Sequence, residues 1–164
     1  MADPLSISAG VAGLISLAAS VTQSCYGTYR EIKNAPRMLK DVIDQLNLLR
    51  PILVDLKGTC DQTQEPLPSL TGISAELQNC KTRLEEFDKR LQTKFRNPQG
   101  ILSRFRWSFE NSEIKAFIDQ LQSYRSIFDS AKSNATLQLA MAIRRDVSTG
   151  LLLDTIARKG MIPY

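Results

Sequence analysis

Residues 4–29 read PLSISAGVAGLISLAASVTQSCYGTY: 26 positions without a charged side chain, in a chain that is 23% charged. The apolar residues of this run are Leu5, Ile7, Val11, Leu14, Ile15, Leu17 and Val21. Small residues interleave them, among them Gly10 and Gly13, and small pairs recur four apart: Ser6/Gly10, Ala9/Gly13, Ala12/Ser16 and Ser16/Ser20. As a helix the run is about 39 Å long, against a bilayer hydrocarbon core of about 30 Å. Small residues let helix backbones approach closely, which drives helix association in lipid. The same composition suits a helix packed inside a soluble bundle. Two glycines within a helix cost about 1 kcal/mol each relative to alanine, so close packing of one kind or the other is expected around them. The residues assigned to membrane insertion or oligomerisation are Leu5, Ile7, Gly10, Val11, Gly13, Leu14, Ile15, Leu17 and Val21, on an apolar helix from about 4 to 33.

A secretory signal carries positive charge ahead of its apolar stretch, whereas the charge here is Asp3. Asp3-Pro4 reads instead as an N-cap followed by proline in the first turn. The density of Leu, Ile and Val is low for constitutive insertion. Met1-Ala2 lacks the glycine needed for myristoylation, and the C-terminus has no prenylation motif. A cytoplasmic protein is expected.

The chain has 164 residues, 43% of them hydrophobic, enough for a single core of real size. Cys25, Cys60 and Cys80 are odd in number and widely spaced, as expected of free thiols in a reducing compartment. Histidine is absent, which removes the commonest general base and metal ligand and excludes Ser-His and Cys-His catalysis within this chain. There is no P-loop, GxSxG, HExxH or CxxC motif. No enzyme activity, cofactor or metal is expected. The net charge of +4 allows a preference for anionic surfaces without establishing one.

Three further segments repeat apolar residues in alternating steps of three and four. The first runs Leu39, Val42, Leu46, Leu49, Leu53, Leu56, with Gly58 expected to end it. Pro51 inside it predicts a kink or a break into two helices. The second runs Leu70, Ile73, Leu77, Cys80, Leu84, Phe87, Leu91. The third runs Ile114, Phe117, Leu121, Tyr124, Phe128, Ala131, Ala135, after a cap at Asn111 or Ser112. Residues 59–69 read as a loop. The second and third segments are antiparallel across the connection at 96–110. A separate amphipathic segment is expected over 147–158. The predicted fold is therefore all-α, an antiparallel bundle of about four to five long helices, with residues 1–145 as the bundle and 146–164 as a C-terminal helix and tail.

Lys94, Phe95 and Arg96, then Arg104, Phe105, Arg106 and Trp107, combine four cations and three aromatics with no acid between. Arg and Trp in a loop suit a membrane interface, where Trp sits at headgroup depth and Arg meets phosphate. Lys94, Arg96, Arg104, Arg106 and Trp107 are the candidate contacts to anionic lipid. The competing reading is a solvated basic loop whose aromatics plug the end of the bundle. Nucleic acid is disfavoured, since no binding motif surrounds the cluster. Glu85, Glu86 and Asp88 with Lys81, Arg83, Lys89 and Arg90 read as a solvated helix face.

The opening, Met1-Ala2-Asp3-Pro4-Leu5-Ser6-Ile7-Ser8-Ala9-Gly10-Val11-Ala12-Gly13-Leu14-Ile15-Ser16-Leu17, followed by Lys33-Asn34-Ala35-Pro36 and a leucine-rich helix, resembles the fungal HeLo-like N-terminal domains of NACHT and other STAND NTPases. The resemblance implies a helical bundle with a place in fungal self/non-self recognition and regulated cell death. In related HeLo domains the N-terminal helix is thought to leave the bundle and permeabilise membranes, which carries over to residues 5–21. The implied partners are further copies of the chain, anionic membrane lipids, and an NLR/STAND receptor module in cis or in trans. The implied location is cytoplasmic, with recruitment to the plasma membrane on activation. The competing expectation is an adaptor whose N-terminal helix stays packed while its surface recruits a protein.

Overall fold

The computed structural model describes residues 4–31, 37–63, 67–95 and 109–159. They form four long helices and one short turn: α1 (Pro4–Glu31), α2 (Arg37–Asp61), α3 (Pro68–Thr71), α4 (Ser74–Phe95) and α5 (Asn111–Lys159). The all-α bundle expected from the periodicity is the fold. Each long helix contributes one apolar stripe. On α1 it is Ile7, Val11, Leu14, Ala18, Val21 and Cys25, and on α4 it is Leu77, Cys80, Leu84, Phe87 and Leu91. These merge with the stripes of α2 and α5 into one core.

Packing places α1 between α2 and α4, and α5 against α2. Ser8, near the start of α1, bonds to Asp61 at the end of α2, so these two are antiparallel. Arg125 meets Gln45 and Lys132 meets Asp55, so α2 and α5 run in the same direction. The α4–α5 seam is antiparallel and closed by aromatic side chains: Phe87 stacks on Phe117 at 4.2 Å and on Phe109 at 4.9 Å. Arg90 lies 4.3 Å from the Phe109 ring centre and pairs with Glu113 at 2.9 Å.

Several boundaries differ from the sequence reading, each for a physical reason. α2 runs unbroken through Pro51. The carbonyl that Pro51 leaves without a donor belongs to Asn47, and both residues are on the exposed side of the helix, where losing that bond costs less than it would in the core. Gly58 does not end α2, because the buried stripe continues to Cys60 and Lys57 pairs with Asp61 one turn on. The stripe from Leu70 to Leu91 is continuous, but the helix is not. Pro68 opens the single turn α3, which closes at Gly72 before α4 begins. Glu110, rather than Asn111 or Ser112, caps α5. Its carbonyl accepts from the amides of Glu113 and Ile114, and its own amide donates to the Glu113 carboxylate at 3.0 Å. The Arg90 guanidinium, then the Glu110 amide, hold the Glu113 carboxyl below the usual range. Finally, α5 passes residue 145 without a break and continues to Lys159, so 147–158 is not a separate helix. The expected Asp3 cap and residues 32, 33 and 160–164 lie outside the described residues.

A candidate interaction surface on the first helix

The nine residues assigned to insertion or assembly divide between two faces of α1. Ile7, Val11, Leu14 and Val21 are buried in the bundle, and Ile15 and Leu17 are half-buried against it. Leu5, 81% exposed, and the two glycines face outward. The helix that resembles a membrane span is therefore a structural member of the core along one side. Among the described residues one helix, spanning Leu5–Arg30, is long and apolar enough to cross a bilayer.

The outer side has its own pattern. Ser6, Gly10, Gly13, Ser16 and Ser20 recur every three or four residues and all are exposed. A β-carbon built at Gly10, Gly13 or Gly27 meets nothing within 4 Å. Tight packing in the bundle is thus not what these glycines serve. Gly10 and Gly13 line a shallow groove of about 220 Å³ whose far wall is α4, at Leu77, Gln78 and Lys81. Gln23 and Gly27, both exposed, continue this face toward the C-terminal end of α1, whereas Tyr29 stands one turn beyond Cys25, in line with the buried stripe. The result is a solvent-facing helix surface about seven turns long without a charge until Arg30.

The start of α1 is fastened by a contact that the sequence pattern did not single out. Buried Ser8 donates its Oγ proton to Asp61 Oδ1 at 2.5 Å, and Lys57 Nζ donates to Asp61 Oδ2 at 2.5 Å. The Lys57 bond first, and the Ser8 bond second, hold the Asp61 carboxyl below its ordinary value. The signal was available only in part: Lys57 and Asp61 stand four apart, but their meeting with Ser8 spans 53 residues of chain.

The other chemistry on the molecule is quiet. Burial pushes the Cys25 and Cys80 thiols up to about 12, with Asp88 adding to the effect at Cys25. Thiols held that high are protonated at neutral pH and are poor nucleophiles. Among the described residues no three His, Cys, Asp or Glu side chains come together as a metal site would require. Of the candidate lipid contacts, Arg96, Arg104, Arg106, Trp107 and the Lys94 side chain lie outside the described residues, so their arrangement stays an expectation.

No curated protein and no solved structure matches the chain. The family described as pigment biosynthesis cluster protein PigL N-terminal matches residues 2–150, which takes in α1 to α4 and most of α5. The chain therefore belongs to the PigL N-terminal family, a fungal-type domain family.

Proposed function

We propose that this domain is a non-enzymatic effector of the HeLo-like kind, which self-associates and engages membranes through α1 in fungal NLR/STAND-type signalling and regulated cell death. The observation that carries the proposal is the outward face of α1. It holds small residues and no charge, and its glycines make no close approach to the rest of the bundle. Glycine exposed in a helix weakens it, so a sequence serving only this fold gains nothing from Gly10 and Gly13. Close approach of a second helix, in lipid or in an assembly, is what such a stripe suits. The family's namesake, a pigment biosynthesis cluster protein, carries the domain at its N-terminus, the position that the resemblance to receptor N-terminal domains also implies.

The buried side of α1 sets the energetics. Burying a Val, Leu or Ile side chain contributes about 1.5–3 kcal/mol. Ile7, Val11, Leu14 and Val21 together thus contribute roughly 6–12 kcal/mol, on the order of a whole domain's stability of about 5–15 kcal/mol. α1 stays in place at rest, and its departure is coupled to opening of the bundle. A bilayer core offsets much of that loss, because lipid tails are as apolar as the protein interior.

Buried positions such as Leu14 make poor probes of this proposal, since altering them also destabilises the bundle. Gly13→Glu is the suitable variant. It places a charge where the bundle has open space, and a charge at the centre of a bilayer costs about 2.5–3.5 kcal/mol or more. Wild type is expected to release dye from anionic liposomes and Gly13→Glu to fail while keeping its helical circular dichroism. Equal leakage by both would remove the outer face of α1 from the mechanism. A second reading, a protein-interaction module without membrane activity, is favoured by a different observation: the exposed apolar residues at the far end of α5.

A further inference from the structure

Helix α5 has 49 residues and is about 74 Å long at about 1.5 Å per residue, twice the length of the 25-residue α2 beside it. Among the described side chains its last buried residue is Ala135, and Ser69 of α3 donates to the Gln138 side chain. From residue 140 to 151 every side chain is exposed. On one face of the helix, the exposed residues alongside the bundle are Asp129, Ser133 and Thr136, all polar. Past the bundle the same face, in steps of three and four, becomes Ala140, Ile143, Val147 and Gly150. Ile143 is 62% exposed and Val147 is 56% exposed.

A helix projecting alone into water draws no stability from tertiary packing, and short isolated helices are marginal. Val147-Ser148-Thr149-Gly150 puts four weak helix formers in succession within this projection. Such a segment becomes a firm helix when its apolar face is covered. The charges beside the face indicate by what. Arg144 flanks the stripe on one side and Asp146 on the other. In a parallel two-fold pair, each flank of one helix meets the opposite flank of its mate, so Arg144 faces Asp146 of the second copy on both sides. An antiparallel pair overlapping the whole stripe is centred near residue 145 and sets Arg144 against Arg144. Opposite charges flanking a helix seam set partner and orientation.

We infer that the projecting part of α5 pairs in parallel with the same segment of a second copy, along a seam formed by Ala140, Ile143 and Val147. This pairing does not depend on the membrane activity proposed for α1.

The test uses the full chain, in analytical ultracentrifugation over a range of concentrations. Wild type is expected to reach a dimer. Ile143→Lys with Val147→Lys should weaken the dimer at least about tenfold, a change of about 1.4 kcal/mol, while circular dichroism still shows the bundle. Arg144→Asp should weaken it, and adding Asp146→Arg should restore it. In a parallel pair residue 147 meets itself, so Val147→Cys should form an intermolecular disulfide on mild oxidation. The three native thiols are buried and do not compete. The inference is overturned by a wild type that stays monomeric, or by a dimer indifferent to the double lysine variant. It is equally overturned by cross-linking that requires Ile143→Cys mixed with Val147→Cys, the antiparallel signature. Binding of wild type to anionic phosphatidylserine vesicles that the double lysine variant loses, without a dimer in solution, would assign the face to lipid and also overturn it.

Discussion

A methyl group added at Gly13 meets open space, whereas one removed from Leu14 leaves a hole in the core. Adjacent residues of α1 thus serve different purposes, and simple substitutions separate them. Gly10→Ala and Gly13→Ala should each raise the unfolding free energy in urea by roughly 0.5–1 kcal/mol, because neither site has a left-handed backbone or a close neighbour. Leu14→Ala should lower it by about 2–5 kcal/mol. The Asp61 cluster makes a prediction in pH. A carboxyl whose folded pKa is depressed contributes stability above its unfolded value and loses it as pH falls through the folded one. Wild type should therefore lose stability below the ordinary aspartate value of 3.8 in part through Asp61. Asp61→Asn should show a shallower loss there in acid denaturation, and Ser8→Ala an intermediate one. The buried stripe of α1 was legible in the spacing of Ile7, Val11, Leu14 and Val21. Whether the intervening glycines pack was not, because small residues carry the same pattern whether a neighbouring helix is present or absent.

Helix boundaries show where local signals yield to packing. Gly58 and Pro51 both carry strong local signals for an end or a break, yet α2 continues because Leu53, Leu56 and Cys60 remain in the core. Removing the proline should help that helix. Pro51→Ala restores the donor to the Asn47 carbonyl at an exposed position and should add about 1–3 kcal/mol, read from the urea midpoint. At α3 the outcome is reversed. The stripe through Leu70, Ile73 and Leu77 reads as one helix, but Pro68 and the turn at Gly72 interrupt the backbone while the buried positions stay aligned. The continuity of α5 was the least legible feature. Beyond Leu137 apolar residues also lie off the face of Ile143 and Val147, at Met141 and Leu153, which blurs the period, and the weak formers at 147–150 suggest a break that does not occur.

At the scale of the whole molecule, α1 is both the helix most like a membrane span and a large share of the core, with α2 and α4 packed against it. A domain built this way is stable while α1 remains and loses much of its core when α1 leaves. Membrane engagement and bundle opening should accordingly occur together. Hydrogen exchange on the buried amides of α2 should accelerate when anionic vesicles are added, and should not when neutral vesicles are added, if anionic lipid drives the transition. The position of α1 itself can be read directly. Ser16 is exposed on the charge-free face, and the native thiols are buried, two of them held near 12, so Ser16→Cys can be labelled selectively with an environment-sensitive dye. On adding anionic vesicles under conditions that cause leakage, the account predicts a blue-shifted, brighter emission from Ser16→Cys and no change from a label at Lys115→Cys on α5. Leakage with the Ser16→Cys emission unchanged would contradict the claim that α1 is the element entering the membrane.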